Sequence, residues 1–193
     1  LISGSVSSFT ILLIVFFLFK EAGGLFNTPA TEEGYVLAVN KSNDVGKLSP
    51  EKIMDIFDGN ITNWKDISGM DQDILIFRFS DLTNYYTEEE LGDEFQYVPQ
   101  KISELVAKEP GIIAFFPKQY LLEKGFQGKV LPEEKITLGE FFGGTKWYPT
   151  STPAPIFGLI PLLLGTLLVS IGAIVLSLPF GIAVAIYMAE IAN

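Results

Sequence analysis

Four side chains stand together in the sequence with the means to hold a small anion: Arg78, Ser80, Asp81 and Thr83. Arg78 is the chain's one arginine. A guanidinium presents a planar fork of N–H donors that matches a tetrahedral oxyanion, and two hydroxyls add donors of their own. A helix beginning near Asp81 would add backbone N–H groups. The same residues admit two readings without a ligand. Arg78 paired with Asp81, or with another carboxylate, is a structural ion pair. Ser80, Asp81 and Thr83 also suit a strand-to-helix turn closed by a side-chain cap. Covalent catalysis fits poorly, because a hydroxyl nucleophile needs a base beside it and the chain has no histidine. It has no cysteine either, which removes disulfides, a thiol nucleophile and thiolate metal sites. Neither a calcium-loop spacing nor a phosphate-cradling GxxxxGK run occurs. The expectation is a protein that is not an enzyme and carries no metal or cofactor.

Those residues must be placed by the elements around them. Residues 74–79 are an apolar run ending in Arg78-Phe79, read as a buried strand. Two similar runs, 34–39 and 112–116, read the same way, with Pro117 ending the second and a short strand expected near Lys129. Between them lie helical segments. Ser49 stands as N-cap with Pro50 at the first helical position, Ile53, Ile56 and Phe57 share one face, and Gly59 follows as the stop. Ile61 to Ile67 reads as a tight corner anchored by Trp64. Residues 101–108 give a short amphipathic helix, with Ile102, Leu105 and Val106 inward. Short strands without alternation, separated by helices, predict an α/β unit whose sheet is covered on both faces.

The charge distribution adds a second constraint. Of 193 residues 48% are hydrophobic, and every basic residue lies between Lys20 and Lys146. Residues 1–19 and 147–189 carry no charge. A charge at mid-bilayer costs about 2.5–3.5 kcal/mol, so hydrocarbon selects such segments. The predicted organisation is a transmembrane helix over 1–22, an extracytoplasmic α/β domain over 27–139, an interfacial aromatic linker over 140–155 and a transmembrane segment over 156–193. Ser3, Gly4, Ser5, Ser7 and Ser8 give the first segment a small-residue face suited to helix packing; its alternative reading is a signal peptide. Pro179 and Gly181 predict a break or kink in the last segment, with Gly165, Gly172 and Ala173 available for packing against other helices. A net charge of −10 argues against nucleic acid as a partner. The chain opens on leucine and closes within an apolar stretch, so it is expected to be part of something longer.

Two stretches resemble known families. Glu140-Phe141-Phe142-Gly143-Gly144-Thr145-Lys146-Trp147-Tyr148-Pro149-Thr150, then Phe157-Gly158-Leu159-Ile160-Pro161-Leu162 and Leu178-Pro179-Phe180-Gly181-Ile182-Ala183, resemble PstC, the permease subunit of bacterial phosphate ABC transporters. The run from Leu48-Ser49-Pro50 through Ile56-Phe57-Asp58-Gly59 to Asn63-Trp64-Lys65-Asp66-Ile67 resembles the second lobe of the phosphate-binding protein PstS, as do Tyr35 to Asn43 and Gly111 to Phe115. In the latter family a strand ends in arginine, followed by an acidic residue and Ser-Gly-Thr, and these help to hold phosphate. Arg78, Ser80, Asp81 and Thr83 occupy that stretch here in a disturbed order, with Leu82 where the glycine is expected.

The resemblance implies a permease subunit of an ATP-driven phosphate importer in the cell inner membrane, its middle domain periplasmic. Its implied partners are a second permease subunit, cytoplasmic ATP-binding subunits, a periplasmic phosphate-binding protein, inorganic phosphate and membrane lipid. The implied phosphate contacts are Arg78, Ser80 and Thr83. The domain would either dock the binding protein, as the missing glycine and missing second lobe favour, or replace part of it, as Arg78 and its hydroxyls favour. A membrane-anchored sensor or binding module would share this layout. The break at Pro179 and Gly181 favours the permease, since a simple signalling span has no need to re-enter an apolar segment.

Overall fold

The computed structural model describes residues 2–26, 29, 31–132 and 135–190. The expected limits at Leu1, Asn27 and 191–193 lie outside the described residues, as do the side chains of the serine-rich face at Ser3 to Ser8. The chain divides into two compact units, Leu1–Thr137 with Tyr148–Ile156, and Leu138–Trp147 with Phe157–Asn193.

Within the first unit a four-stranded sheet forms from β1 (Tyr35–Asn40), β2 (Leu75–Arg78), β3 (Ile112–Pro117) and β4 (Gly128–Val130), in the order β2-β3-β1-β4. β2 runs parallel to β3, and β1 runs antiparallel to both β3 and β4. β1 and β3 are the central strands, so side chains on both their faces are removed from water. Val36 and Ala38 of β1 face one core with Ile112, Ala114 and Phe116 of β3. Leu37 and Val39 face the other with Ile113 and Phe115. This two-sided burial is why the strands read as continuous apolar runs instead of alternating ones.

Each face is closed by a helix whose apolar stripe matches it. α2 (Pro50–Phe57) lays Ile53, Ile56 and Phe57 on the second core. Its start is built as expected: the Ser49 hydroxyl accepts the Lys52 N–H at 3.4 Å, and Pro50 occupies the first turn. Gly59 follows the helix with φ +77°, a conformation that costs L side chains about 1–2 kcal/mol. α6 (Val98–Lys108) begins three residues earlier than the sequence suggests, with Pro99 in its first turn, and buries Val98, Ile102, Leu105 and Val106 on the first core.

The Trp64 corner joins these layers. The short helix α3 (Lys65–Ser68) follows Trp64, whose ring is fully buried. Its indole N–H donates to the Gly111 carbonyl at 2.8 Å, and the same oxygen accepts the Leu75 N–H at 3.0 Å. A Cβ at Gly111 would collide with the Asp73 carbonyl, so glycine is required where the entries to β2 and β3 meet. Two four-residue helices, α4 (Leu82–Tyr85) and α5 (Glu88–Leu91), follow β2. The expectation of an α/β domain with both faces covered holds, on a mixed sheet.

α1 is a helix over Ile2–Leu25, and its apolar section is Phe9–Leu18. Ten residues rise about 15 Å, half the thickness of a hydrocarbon core. Among the described residues a single helix is long and apolar enough to cross a membrane: α8 (Ile160–Glu190) in the second unit, of 31 residues, below. Of the pair of flanking spans expected from the sequence, one meets this measure among the described residues.

In the second unit α7 (Leu138–Gly143) precedes α8. Two-residue strands, β5 (Trp147–Tyr148) and β6 (Ile156–Phe157), pair between them in sequence. Of the break or kink expected at Pro179 and Gly181, there is no break: α8 is helical through both. Proline removes one N–H, the one that would bond the carbonyl of Val175, while the flanking turns keep their own bonds. In an apolar 31-residue helix the remaining ladder holds the geometry, and Gly181 needs no special conformation.

Candidate functional site

The candidate anion site starts where β2 ends. Arg78 pairs in register with Phe115 of β3, at the carboxyl end of the parallel pair. A 3-10 turn over Phe79–Asp81 then leads into α4. The Asp81 carboxylate closes this turn: Oδ2 accepts the Arg78 backbone N–H at 3.1 Å and Oδ1 accepts the Ser80 hydroxyl at 3.3 Å. This is the side-chain cap that the residue types suggested.

The Arg78 guanidinium goes elsewhere. Its Nη2 donates to the carbonyl of Phe57 at 3.0 Å, and its Cζ stands 5.1 Å from the Phe57 ring centroid. Phe57 is the last residue of α2, so the cation sits against the negative end of that helix. The sequence reading offered a carboxylate or a phosphate as its partner; the structure adds a helix carbonyl and an aromatic face as its neighbours. The missed acceptor had a signal in the sequence, because the Gly59 stop marks Phe57 as a helix end whose carbonyls need donors.

Arg78, Ser80 and Thr83 are all exposed to solvent. Leu82, at the position where the resemblance calls for glycine, has ordinary helical dihedrals (φ −53°, ψ −41°) and is 3% exposed, its side chain within the first core. The backbone at that point thus carries an inward anchor. Ser80 already gives its proton to Asp81, and Asp81 brings a negative charge beside any anion bound there. A fully ionised anion is repelled by that carboxylate; one that keeps a proton can donate it.

Farther along, Glu88, Glu89, Gly92, Asp93, Glu94 and Phe95 line a shallow hollow. Its acidic walls disfavour anions. Among the described residues no group of three or more histidine, cysteine, aspartate or glutamate side chains is arranged to hold a metal ion. Beside this hollow the phenol of Tyr86 donates to the Lys101 carbonyl at 3.1 Å, and burial, with Glu104 and Glu90 nearby, raises its pKa above the ordinary value.

Residues 16–166 match the family model described as a PBP superfamily domain, which is well over half of the chain. The chain belongs to the PBP superfamily. Among solved structures, this PBP-superfamily chain is similar to an ABC-type phosphate transport receptor from Vibrio cholerae. The two are 23% identical with a TM-score of 0.40, over 57% of this chain and 50% of the receptor. It is also similar to a Clostridium perfringens protein described as a phosphate ABC transporter substrate-binding protein with bound phosphate, at 22% identity and a TM-score of 0.37, over 54% and 46% of the two chains. The chain thus spans about half the length of each. Membership of the PBP superfamily accords with a non-enzymatic binding or transport protein.

Proposed function

We propose that this chain is the N-terminal part of a membrane permease subunit of an ATP-driven phosphate importer. Its PBP-superfamily lobe lies outside the cytoplasm in this reading. The observation that carries it is the joining, in one chain, of a PBP-superfamily domain and a 31-residue apolar helix whose mean hydropathy reaches 2.4 and whose side chains are not buried. The permease-like run from Glu140 to Glu190 lies on that same helix and its lead-in. A second permease subunit, cytoplasmic ATP-binding subunits and a periplasmic phosphate-binding protein complete the assembly in this proposal.

The phosphate contact we assign is Arg78 with Ser80 and Thr83. A guanidinium has five N–H donors, and one of them is placed on Phe57. Monohydrogen phosphate keeps one O–H group, which can donate a hydrogen bond to the Asp81 carboxylate. Titration calorimetry of the full chain in detergent, with inorganic phosphate, tests this assignment. Saturable heat that disappears in Arg78→Ala is the expected result. No heat from a folded chain would remove the phosphate contact and leave the lobe as a docking platform for the binding protein.

The uninterrupted α8 favours a second reading, a membrane-anchored sensor, because a single continuous span is what such a module needs. Co-purification with an ATP-binding subunit separates the two: the permease retains one and the sensor does not.

A further inference from the structure

The second unit has an apolar surface outside α8 that the proposed function leaves unused. α7 is only six residues long, yet Leu138 and Phe142 are 60% and 59% exposed. Four residues apart, they share one helix face. The backbone ties α7 and the turn after it to the beginning of α8. The Leu159 N–H donates to the Phe141 carbonyl at 2.8 Å, the Ile160 N–H to Gly144 at 3.3 Å and the Gly158 N–H to Lys146 at 2.8 Å. Gly144 and Gly158 meet without side chains, and a Cβ on Gly158 would collide with the Gly144 carbonyl group. Trp147 packs edge-on against Phe157 at 5.6 Å between ring centroids. The apolar face is therefore held at one fixed height, level with the first turn of α8.

That height coincides with a change along α8. Ile160 and Pro161 are half-buried, and from Leu162 onward nearly every residue is exposed. No charge occurs between Lys146 and Glu190. The 31 residues of α8 rise about 46 Å, close to the roughly 40–45 Å of a bilayer with its headgroup regions. With the first turn of α8 in one headgroup layer, that length brings Glu190 to the opposite one.

We propose that α7 is an interfacial foot: Leu138 and Phe142 insert at the headgroup boundary of the same bilayer that α8 crosses, and so fix the depth of α8. This rests on the membrane reading of α8 given above. A short amphipathic face gains by burying apolar area at the acyl boundary while its other face stays wet. The occupant is lipid, because backbone bonds fix this exposed face beside the start of α8, whose side chains are apolar and exposed from Leu162 onward.

The absence of native cysteine makes the test direct. Single cysteines at Leu138→Cys, Phe142→Cys, Glu140→Cys and Val175→Cys are spin-labelled in the full chain, in vesicles of phosphatidylethanolamine and phosphatidylglycerol. Collision rates are measured with oxygen, which partitions into lipid, and with a water-soluble nickel chelate. The expected result is a several-fold preference for oxygen at 138, 142 and 175, and for nickel at 140. Nickel preference at 138 and 142 with oxygen preference at 175 overturns the foot and leaves the span standing. Nickel preference at 175 overturns the membrane reading itself, and the foot with it.

Discussion

Trp64 illustrates how one side chain sets the local geometry. Its ring packs in the core with α2, while its N–H reaches the Gly111 carbonyl. Trp64→Phe keeps most of the ring and removes the donor. An orphaned buried partner costs about 1–3 kcal/mol, although Gly111 retains its bond from Leu75. The expected loss is therefore at the low end, about 1 kcal/mol, read from chemical unfolding followed by circular dichroism. Asn43 is the opposite case. Its Oδ1 accepts the Val45 N–H at 3.0 Å, while its Nδ2 is buried without a partner. The tryptophan could be read from the sequence as an anchor. Its acceptor could not, because Gly111 lies 47 residues away.

At the scale of elements, α5 shows how a short helix depends on its first turn. Thr87 and Glu90 form a capping box: the Thr87 N–H donates to Glu90 Oε2 at 3.0 Å, and the Glu90 N–H donates to the Thr87 hydroxyl at 3.4 Å. The backbone bond from Thr87 is the main cause that holds the Glu90 carboxyl below its ordinary pKa; desolvation opposes it, and Lys101 and the Thr87 hydroxyl add lesser support. Because the folded carboxyl titrates below the unfolded one, its support for α5 is complete above the ordinary carboxylate range. It is lost as pH falls through the folded value. Protection of the Leu91 and Gly92 amides, taken relative to their intrinsic exchange rates, is expected to fall on acidification in the native chain. In Glu90→Gln that pH-dependent loss of protection disappears. The capping box follows from the spacing Thr-x-x-Glu alone. The mixed sheet does not, because strand direction depends on which strands become neighbours.

For the whole molecule the decisive element is α8. Its centre lies at Val175, with fourteen uncharged residues beyond it before Glu190. Val175→Arg places a guanidinium at mid-bilayer, at a cost of about 2.5–3.5 kcal/mol, or about 100-fold in the insertion equilibrium. The fraction resisting alkaline carbonate extraction is expected to fall accordingly, while Val175→Leu leaves it unchanged. Equal extraction of both variants and the native chain would mean that α8 does not insert.

Local patterning in the sequence determined the capped α2, the apolar central strands, the Trp64 corner and the uncharged length of α8. Caps, glycine stops and apolar runs act through neighbours a few residues away, so they are legible in order along the chain. Tertiary structure decided the partners of Arg78 and Leu82. Nothing in the spacing from Phe57 to Arg78 says that a helix end will be brought to that guanidinium; the packing of α2 on the sheet does this. Nor does the sequence fix how Pro179 is accommodated, because the loss of one hydrogen bond is weighed against the rest of a long apolar helix. Short-range rules name the elements, and the long-range burial that joins them chooses which polar groups meet.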